Sequence, residues 1–554
     1  MQRDSIKVIL SAILCLIVIA FIFSLFKNIQ YPLLWNDESE TAMYAKRIMQ
    51  YGYPKIHDGK NIVWLSELPD KGMGLDKRRD SPDALVWGQY YFAAIGEFFA
   101  AKTEDVYLKT AFLRIPFAAA GLAGLFIMAM SVIRLFGKSA VEKLIFLNAF
   151  FLFALASVAL TLHLREVRHP ALVVLLSAAA FSIYFDYRFF DKIKSAIYFI
   201  GLTLCLFLLY HVLHVVFFVF LGSIALYEFI AMLRERNIRR FLGNIAPVIT
   251  AFVLVMPFFM LCQTSAFGKA YRLLYAAYIP SWAAQVSGIL SFFRQYELLY
   301  VVLAARALFI CSWFYFSQRG RSFEKPVRQK MQVSNFLTLF FIVYLSMIAV
   351  FPHAIIFERY YILLIPVAAI ILLLDIFGTF DLFSGLEAGT RRYVKWLYAA
   401  SILAILVVNS PDRIDHIKGH AHELLHRYRG PLDFAIPFIK SNYKNTADLV
   451  IATNYEELAY MYYLGSKVIV GFVGNNIEED AKMRPDIIIF RKSRSPAYLP
   501  VFKKFIAGGR YERVSFPVFD YFVNNIPELK SHLYLTPDCG EPDKSLDLFI
   551  KTDA

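Results

Sequence analysis

Long apolar runs set the pattern of this chain. Val8 to Phe26 carries no charged residue and is long enough to cross a hydrocarbon core of about 30 Å at about 1.5 Å per residue. Further runs fall at 112–133, 144–162, 170–185, 195–209, 212–233, 241–262, 296–317, 333–351, 360–377 and 393–409. They predict a polytopic α-helical membrane protein with about eleven spans over residues 1–410. The first run follows Arg3 and Lys7 as a signal peptide would, but no small-residue cleavage site follows it and more spans do, so it reads as a span.

Between the first two spans, residues 28–110 form the longest connection of this half. Two stretches in it have the pattern of helices lying in the membrane interface. Asp37 to Tyr51 sets Thr41, Met43, Tyr44, Ile48 and Tyr51 along one stripe, and Leu85 to Ala101 is apolar and aromatic with Gln89 and Glu97 interrupting it. Residues 55–81 between them are polar and read as a flap, and 262–295, broken by Pro280 and Gly288, reads as a third interfacial pair. From about Pro411 the pattern changes. The short strands DLVIAT, KVIVGF, DIIIF and YERVSFPVF alternate with helical stretches near 456–464 and 497–507, which predicts an α/β domain with a mainly parallel sheet over 411–554.

Composition agrees with the apolar pattern: 58% of the 554 residues are hydrophobic and only 18% charged, with a mean hydropathy of +0.51. A soluble enzyme, a disordered chain and a disulfide-stapled secreted domain are excluded. The net charge of +14 would suit a nucleic-acid binder, but residues 411–554 hold 19 Lys and Arg against 19 Asp and Glu. All of the excess therefore belongs to the membrane half. With the N-terminus inside, the first seven residues and the connections 134–143, 186–194, 234–240, 318–330 and 378–395 carry 20 Lys and Arg and far fewer acids. By the positive-inside rule the 411–554 domain lies outside, and no nucleic-acid partner is implied. Cys15, Cys205, Cys262 and Cys311 fall in or beside spans, and Cys539 is the one cysteine of the outer domain, so that domain has no internal disulfide. The absence of Asn-x-Ser/Thr sequons favours a bacterial chain.

The outer connections collect the reactive residues. In WNDESE, Asp37 and Glu38 sit at the start of the first interfacial helix. Acids there cap free backbone N–H groups and favour the positive end of the helix dipole; alternatively, a carboxylate held at the membrane surface removes a proton from a hydroxyl. Arg165, Arg168 and Arg359 lie on short outer loops against the charge rule. They serve there as interfacial anchors paired with Glu166 and Glu358, or as a clamp for phosphate oxygens, which the planar guanidinium suits. His163, His169, His211, His214 and His353 lie near outer span ends without a tight metal-ligand spacing, so no metal site is assigned. Arg306 and Glu228 place charge within spans, which would fit a transporter, yet internal repeats and midspan carboxylate pairs are not evident.

The order of these features resembles the GT-C glycosyltransferases, in particular the polyprenyl-phosphate-sugar-dependent group that includes the lipid A aminoarabinose transferase and the protein mannosyltransferases. The likeness runs through DESETAMYAKRIMQYGYP after the first span, Ser81-Pro82 before a Tyr-rich helix, Arg114, and Leu135-Phe136-Gly137 at a span end. It continues through LREVRHPALVVLLSA at 164–178 and the RY-x-x-x-x-x-P of FERYYILLIPVAAIILLL at 357–374. The resemblance implies that Asp37 is the catalytic base on the acceptor hydroxyl and that Glu38 is its acidic partner. It places Arg165, Glu166, Arg168 and His169 in the second outer loop, and Arg359 and Tyr360 in the late signature, as substrate- and phosphate-binding residues. Where relatives carry an aspartate this chain has His169, with Glu166 the nearby carboxylate. Where they carry a lysine before a proline pair it reads RRDSP, so Lys77, Arg78 and Arg79 are the candidates for that role.

The resemblance thus implies an inverting glycosyltransferase of a bacterial cytoplasmic membrane, acting as a monomer at the periplasmic face. It would move one sugar from a polyprenyl-phosphate carrier to a hydroxyl of an envelope glycan or lipid. A protein O-mannosyltransferase is the alternative within the class, and a transporter or flippase of a lipid-linked substrate the alternative outside it. No cofactor is called for, although some GT-C enzymes use a divalent ion.

Overall fold

A computed structural model of the chain describes residues 2–63, 75–76, 80–82, 86–136, 139–261, 281–320, 322–350, 358–384, 386, 388–408, 411–427, 429–469, 482–492, 499–520 and 545–552. The helices are α1 (Gln2–Phe26), α2 (Asn36–Tyr51), α3 (Gly88–Ala100), α4 (Val106–Val132), α5 (Ala140–Ala156), α6 (Val158–Leu164), α7 (His169–Arg188), α8 (Ser195–Val212), α9 (His214–Glu235) and α10 (Ile238–Leu261). There follow α11 (Trp282–Tyr296), α12 (Leu299–Gln318), α13 (Lys325–Val350), α14 (Leu364–Phe383), α15 (Ala388–Val408), α16 (Pro411–His426), α17 (Pro431–Asn442), α18 (Glu457–Leu464) and α19 (Leu499–Ala507).

Among the described residues nine helices are long and apolar enough to cross a membrane, and ten if α5 and α6 count as one bent span. Helices form at all eleven expected runs. The one at 393–409 is α15, which falls outside these nine because its first turns carry Arg391, Arg392 and Lys395. The run at 144–162 is not one straight span but breaks at Ser157, where α5 and α6 meet at 78°. Ser157 leaves helical backbone angles, and its hydroxyl accepts the Leu160 N–H at 3.3 Å while donating to Glu297 at 2.6 Å. A serine that caps a new helix start offsets the lost helical bonds. The turn sends the chain across the top of the bundle, where residues 165–168 run.

Close backbone approach fixes the centre of the bundle. A Cβ at Gly124 of α4 would meet the Leu175 backbone nitrogen of α7 at 2.7 Å, so these two helices pack at glycine distance. Around them Phe181, Phe220, Phe336 and Phe340 interlock their rings.

Both helices expected in the first connection form, as α2 and α3. The interfacial stripe expected on α2 is only part of its buried surface, since Ser39, Ala45 and Arg47 on other faces are also buried while Tyr51 is exposed. The cause is that α2 is packed between α3 and α18. It ends at Gly52, whose φ of 82° needs a glycine. Of the third expected interfacial pair, α11 is described and 262–280 lie outside the described residues.

The C-terminal sheet has five strands: β3 (Val450–Thr453), β4 (Lys467–Ile469), β5 (Ile487–Ile489), β6 (Tyr511–Phe519) and β7 (Ser545–Lys551), in the order β4-β3-β5-β7-β6; β1 (Leu75–Asp76) and β2 (Ser81–Pro82) pair separately in the first connection. β3 pairs in parallel with β4 and β5, but β7 runs antiparallel to both β5 and β6. The sheet is therefore mixed rather than mainly parallel. The strand that makes it so, SLDLFIK, hides its pattern behind Asp547, whose buried carboxylate is held by Lys492 at 2.7 Å and Arg513 at 2.8 Å.

This domain is sewn to the first connection. Asp433 accepts the Leu33 N–H at 3.3 Å, the Tyr463 hydroxyl accepts the Leu34 N–H at 3.1 Å, and Asn61 bonds Ser466 and Val468 at 2.8 and 3.0 Å. Tyr462 donates to Glu97 of α3 at 2.7 Å.

Candidate active site

The site grows from the first turn of α2. Trp35 takes the cap position in extended backbone, with no side-chain cap bond. Asp37 and Glu38 therefore do not cap the helix, contrary to the simpler expectation from their place in the sequence. Each is held by arginines from distant elements.

Glu38 is fully buried and forms a two-point pair with Arg114 of α4, at 2.9 Å and 2.5 Å. One of its oxygens also accepts the Val167 N–H at 2.9 Å. Arg114 reaches on to the carbonyls of Ile29 and Pro32 at 2.9 and 2.7 Å. A planar guanidinium serving a carboxylate and two carbonyls is a rigid joint. It locks the start of α2, the outer end of α1 and the 165–168 turn into one unit.

Asp37 is different. Its side chain keeps 24% exposure, and a single oxygen is shared by Arg168 and by Arg359, the latter at 3.2 Å. Both guanidinium groups lie against the Trp35 ring, at 5.8 and 5.1 Å from its centre, and Arg359 also lies against Tyr360 at 5.4 Å. Cations over aromatic faces are held without losing charge. Two cations thus face one carboxylate, and the excess positive charge suits an incoming phosphate.

One turn along α2 stands Glu40, which accepts a hydrogen bond from Tyr90 of α3 at 3.0 Å. Burial pushes its carboxyl up to about 7, with Arg168 acting against the rise and Asp37 adding to it. Sequence reading passed over Glu40, Trp35 and Tyr90. The i, i+3 spacing of Asp37 and Glu40 would have indicated a shared helix face, whereas Trp35 and Tyr90 join the site through tertiary packing alone.

The other predicted residues separate by position. Arg165 is buried and donates to the carbonyls of Lys27 at 3.0 Å and Ser24 at 3.4 Å, tying down the end of α1. Glu166 pairs with His163 at 2.9 Å. His169 opens α7, with its ring near-parallel to Tyr360 at 6.2 Å between centres and its Nε2 buried with no hydrogen-bond partner among the described residues. The Tyr360 carbonyl accepts from the Tyr344 hydroxyl at 2.6 Å. Lys77, Arg78 and Arg79 lie outside the described residues. Among the described residues no three His, Cys, Asp or Glu side chains converge as a metal site.

No family model matches the sequence, and no curated protein does. The fold is similar to that of solved structures. ArnT from Cupriavidus metallidurans, bound to undecaprenyl phosphate, is 12% identical with 97% of each chain covered and a TM-score of 0.54, and its apo state gives the same values. The archaeal oligosaccharyltransferase AglB from Archaeoglobus fulgidus is 11% identical, over 98% of this chain and 76% of that one, with a TM-score of 0.47. At 12% identity the likeness to ArnT is one of architecture: the chain has the GT-C fold, a bundle of membrane helices with a small C-terminal sheet domain.

Proposed function

We propose that this chain is an inverting glycosyltransferase that moves one sugar from a polyprenyl-phosphate carrier to a hydroxyl acceptor at the membrane face carrying the C-terminal domain. The observation that carries the reading is the Asp37 carboxylate bridged by Arg168 and Arg359. A GT-C fold shared with a protein bound to undecaprenyl phosphate supports the choice of carrier.

The carrier's phosphate carries negative charge next to the sugar's reactive carbon. On its arrival Arg168 and Arg359 turn from Asp37 to the phosphate oxygens and hold the leaving group. Asp37, released, takes the proton of the acceptor hydroxyl. The acceptor oxygen then bonds to the anomeric carbon from the opposite side while the carbon–oxygen bond to phosphate breaks. The electron pair leaves on polyprenyl phosphate, neutralised by the two arginines. Glu38 and Arg114 position the helix, and Glu40 sets the charge beside Asp37. The acceptor is an envelope glycan or lipid, and the compartment is the periplasmic side of a bacterial cytoplasmic membrane, as the distribution of Lys and Arg implies.

The test is sugar transfer in proteoliposomes from labelled polyprenyl-phosphate sugar to candidate envelope acceptors, with products identified by mass. Asp37→Asn should lower transfer by about 10²–10⁴-fold, the usual contribution of a general base, while the protein still binds the carrier. Transfer at the wild-type rate would overturn the assignment of Asp37.

A further inference from the structure

At the opposite end of α7 from the active site, about 30 Å away along a helix of 20 residues, a second polar site is built into the bundle. A cavity of about 630 Å³ opens between the end of α7, the turn into α8 and the start of α10. Arg188, Lys192, Lys194 and Arg240 line it, with Asp191 the one carboxylate in its wall.

The wall is pre-formed. Tyr187 stacks on Tyr198 at 4.0 Å, and the Tyr198 hydroxyl donates to the Asn244 carbonyl at 2.6 Å, joining α8 to α10. Asp191 adopts φ 52°, and the Lys192 N–H closes the turn onto the Asp186 carbonyl at 2.8 Å. The arginines are already engaged. Arg188 bonds Glu228 at 2.8 Å and Glu235 at 3.4 Å, and Arg240 bonds Glu235 at 2.8 Å. Lys192 and Lys194 are exposed and form no ion pair among the described residues. They lie just before the N-terminus of α8, whose free N–H groups add to the positive potential.

The two helices that border the cavity also carry exposed apolar side chains. Ile197, Ile200 and Leu204 are exposed along one face of α8, and Ile238, Leu242 and Ile249 along one face of α10. A ligand that is anionic at one end and hydrocarbon at the other matches this combination, and basic pockets between membrane helices bind such headgroups.

We propose that this cavity binds the phosphate group of an anionic phospholipid in the leaflet opposite the active site, with Lys192 and Lys194 as the free cations and the acyl chains lying along α8 and α10. It is a lipid-anchoring site separate from the carrier site around Asp37. The site neither requires nor contacts the groups assigned to sugar transfer.

Native mass spectrometry of the full chain, released from mixed micelles of phosphatidylglycerol and phosphatidylcholine, tests the proposal. The wild type should retain phosphatidylglycerol over phosphatidylcholine. The double variant Lys192→Gln/Lys194→Gln should lose that preference by about tenfold or more, the order expected for two basic side chains at a membrane surface. Lys503→Gln/Lys504→Gln, the same charge change on exposed positions of α19, should retain it. A second arm adds inorganic phosphate alone. Displacement of the lipid by millimolar phosphate, dependent on the same lysines, would assign the site to soluble phosphate and overturn the lipid. An equal retention of both lipids by the wild type, or a preference unchanged in a double variant that melts like the wild type, would overturn the site itself.

Discussion

Replacing Glu38 by Gln and Asp37 by Asn changes two neighbouring carboxylates by the same chemical step, yet the consequences should be opposite. Glu38 and Arg114 are almost wholly removed from water, with side-chain exposures of 0% and 6%. Removing one partner of a buried ion pair costs about 3–5 kcal/mol, because the remaining charge is left without compensation. Gln can still accept the Val167 N–H, which places Glu38→Gln near the low end, whereas Glu38→Ala also strands that donor at a further cost of about 1–3 kcal/mol. A loss of about 3 kcal/mol lowers the folded-to-unfolded ratio by roughly a hundredfold. Asp37 is partly exposed, and both of its arginines also rest on aromatic faces, so Asp37→Asn should melt close to the wild type. Thermal unfolding of the full chain in detergent, followed by size exclusion, reads the difference. Activity adds a second axis: Asp37→Asn is folded and inactive, while Glu38→Gln is poorly folded with its surviving fraction active. Combining Glu38→Gln with Arg114→Met should recover part of the loss, since no buried charge remains while Gln keeps the Val167 N–H partnered. A Glu38→Gln protein as stable as the wild type beside a destabilised Asp37→Asn protein would refute the division of roles.

Two further outcomes follow from the same geometry. Arg359→Lys keeps the charge but loses the planar fork and its stacking on Trp35, so the KM for carrier-linked sugar should rise by about tenfold or more, measured in the transfer assay against carrier concentration; an unchanged KM would remove Arg359 from the clamp. The raised carboxyl of Glu40 gives a pH test. The folded protein keeps that proton up to about 7 whereas the unfolded chain releases it in the ordinary carboxylate range, so stability falls as pH rises through this window. Glu40→Gln removes the penalty, so its melting temperature should rise relative to wild type at pH 8 and match it near pH 5; equal differences at both would refute the assignment.

Much of this arrangement is legible in the residues before any coordinates. Apolar runs locate the helices because lipid leaves no other partner for backbone groups, and the uneven distribution of Lys and Arg groups Asp37, Arg168 and Arg359 on one face. What periodicity could not give depends on contacts between distant segments. The break at Ser157 lies inside a continuous apolar run, and the acceptor for its hydroxyl proton is Glu297, far along the chain. Glu38 looks like a twin of Asp37 until Arg114 and Val167 close on it. Arg165 and Arg168 are three residues apart in one loop, yet Arg165 holds α1 while Arg168 reaches Asp37. β7 carries a buried charge in its middle, which masks the alternation that marks an edge-to-core strand.

The stitches between the first connection and the C-terminal domain impose a schedule on biosynthesis. Leu33 is held by Asp433, 400 residues later, and Leu34 by Tyr463, 429 residues later. At roughly 5–20 residues per second a ribosome needs about 20–80 s to supply those partners. Until then the turn that aims Asp37 has no roof, however early the first helices enter the bilayer. Under the proposed function, a nascent or truncated chain should therefore be inert toward lipid-linked sugar, with competence arriving only once the last domain has folded. Synthesis itself would then act as a safety catch on the chemistry.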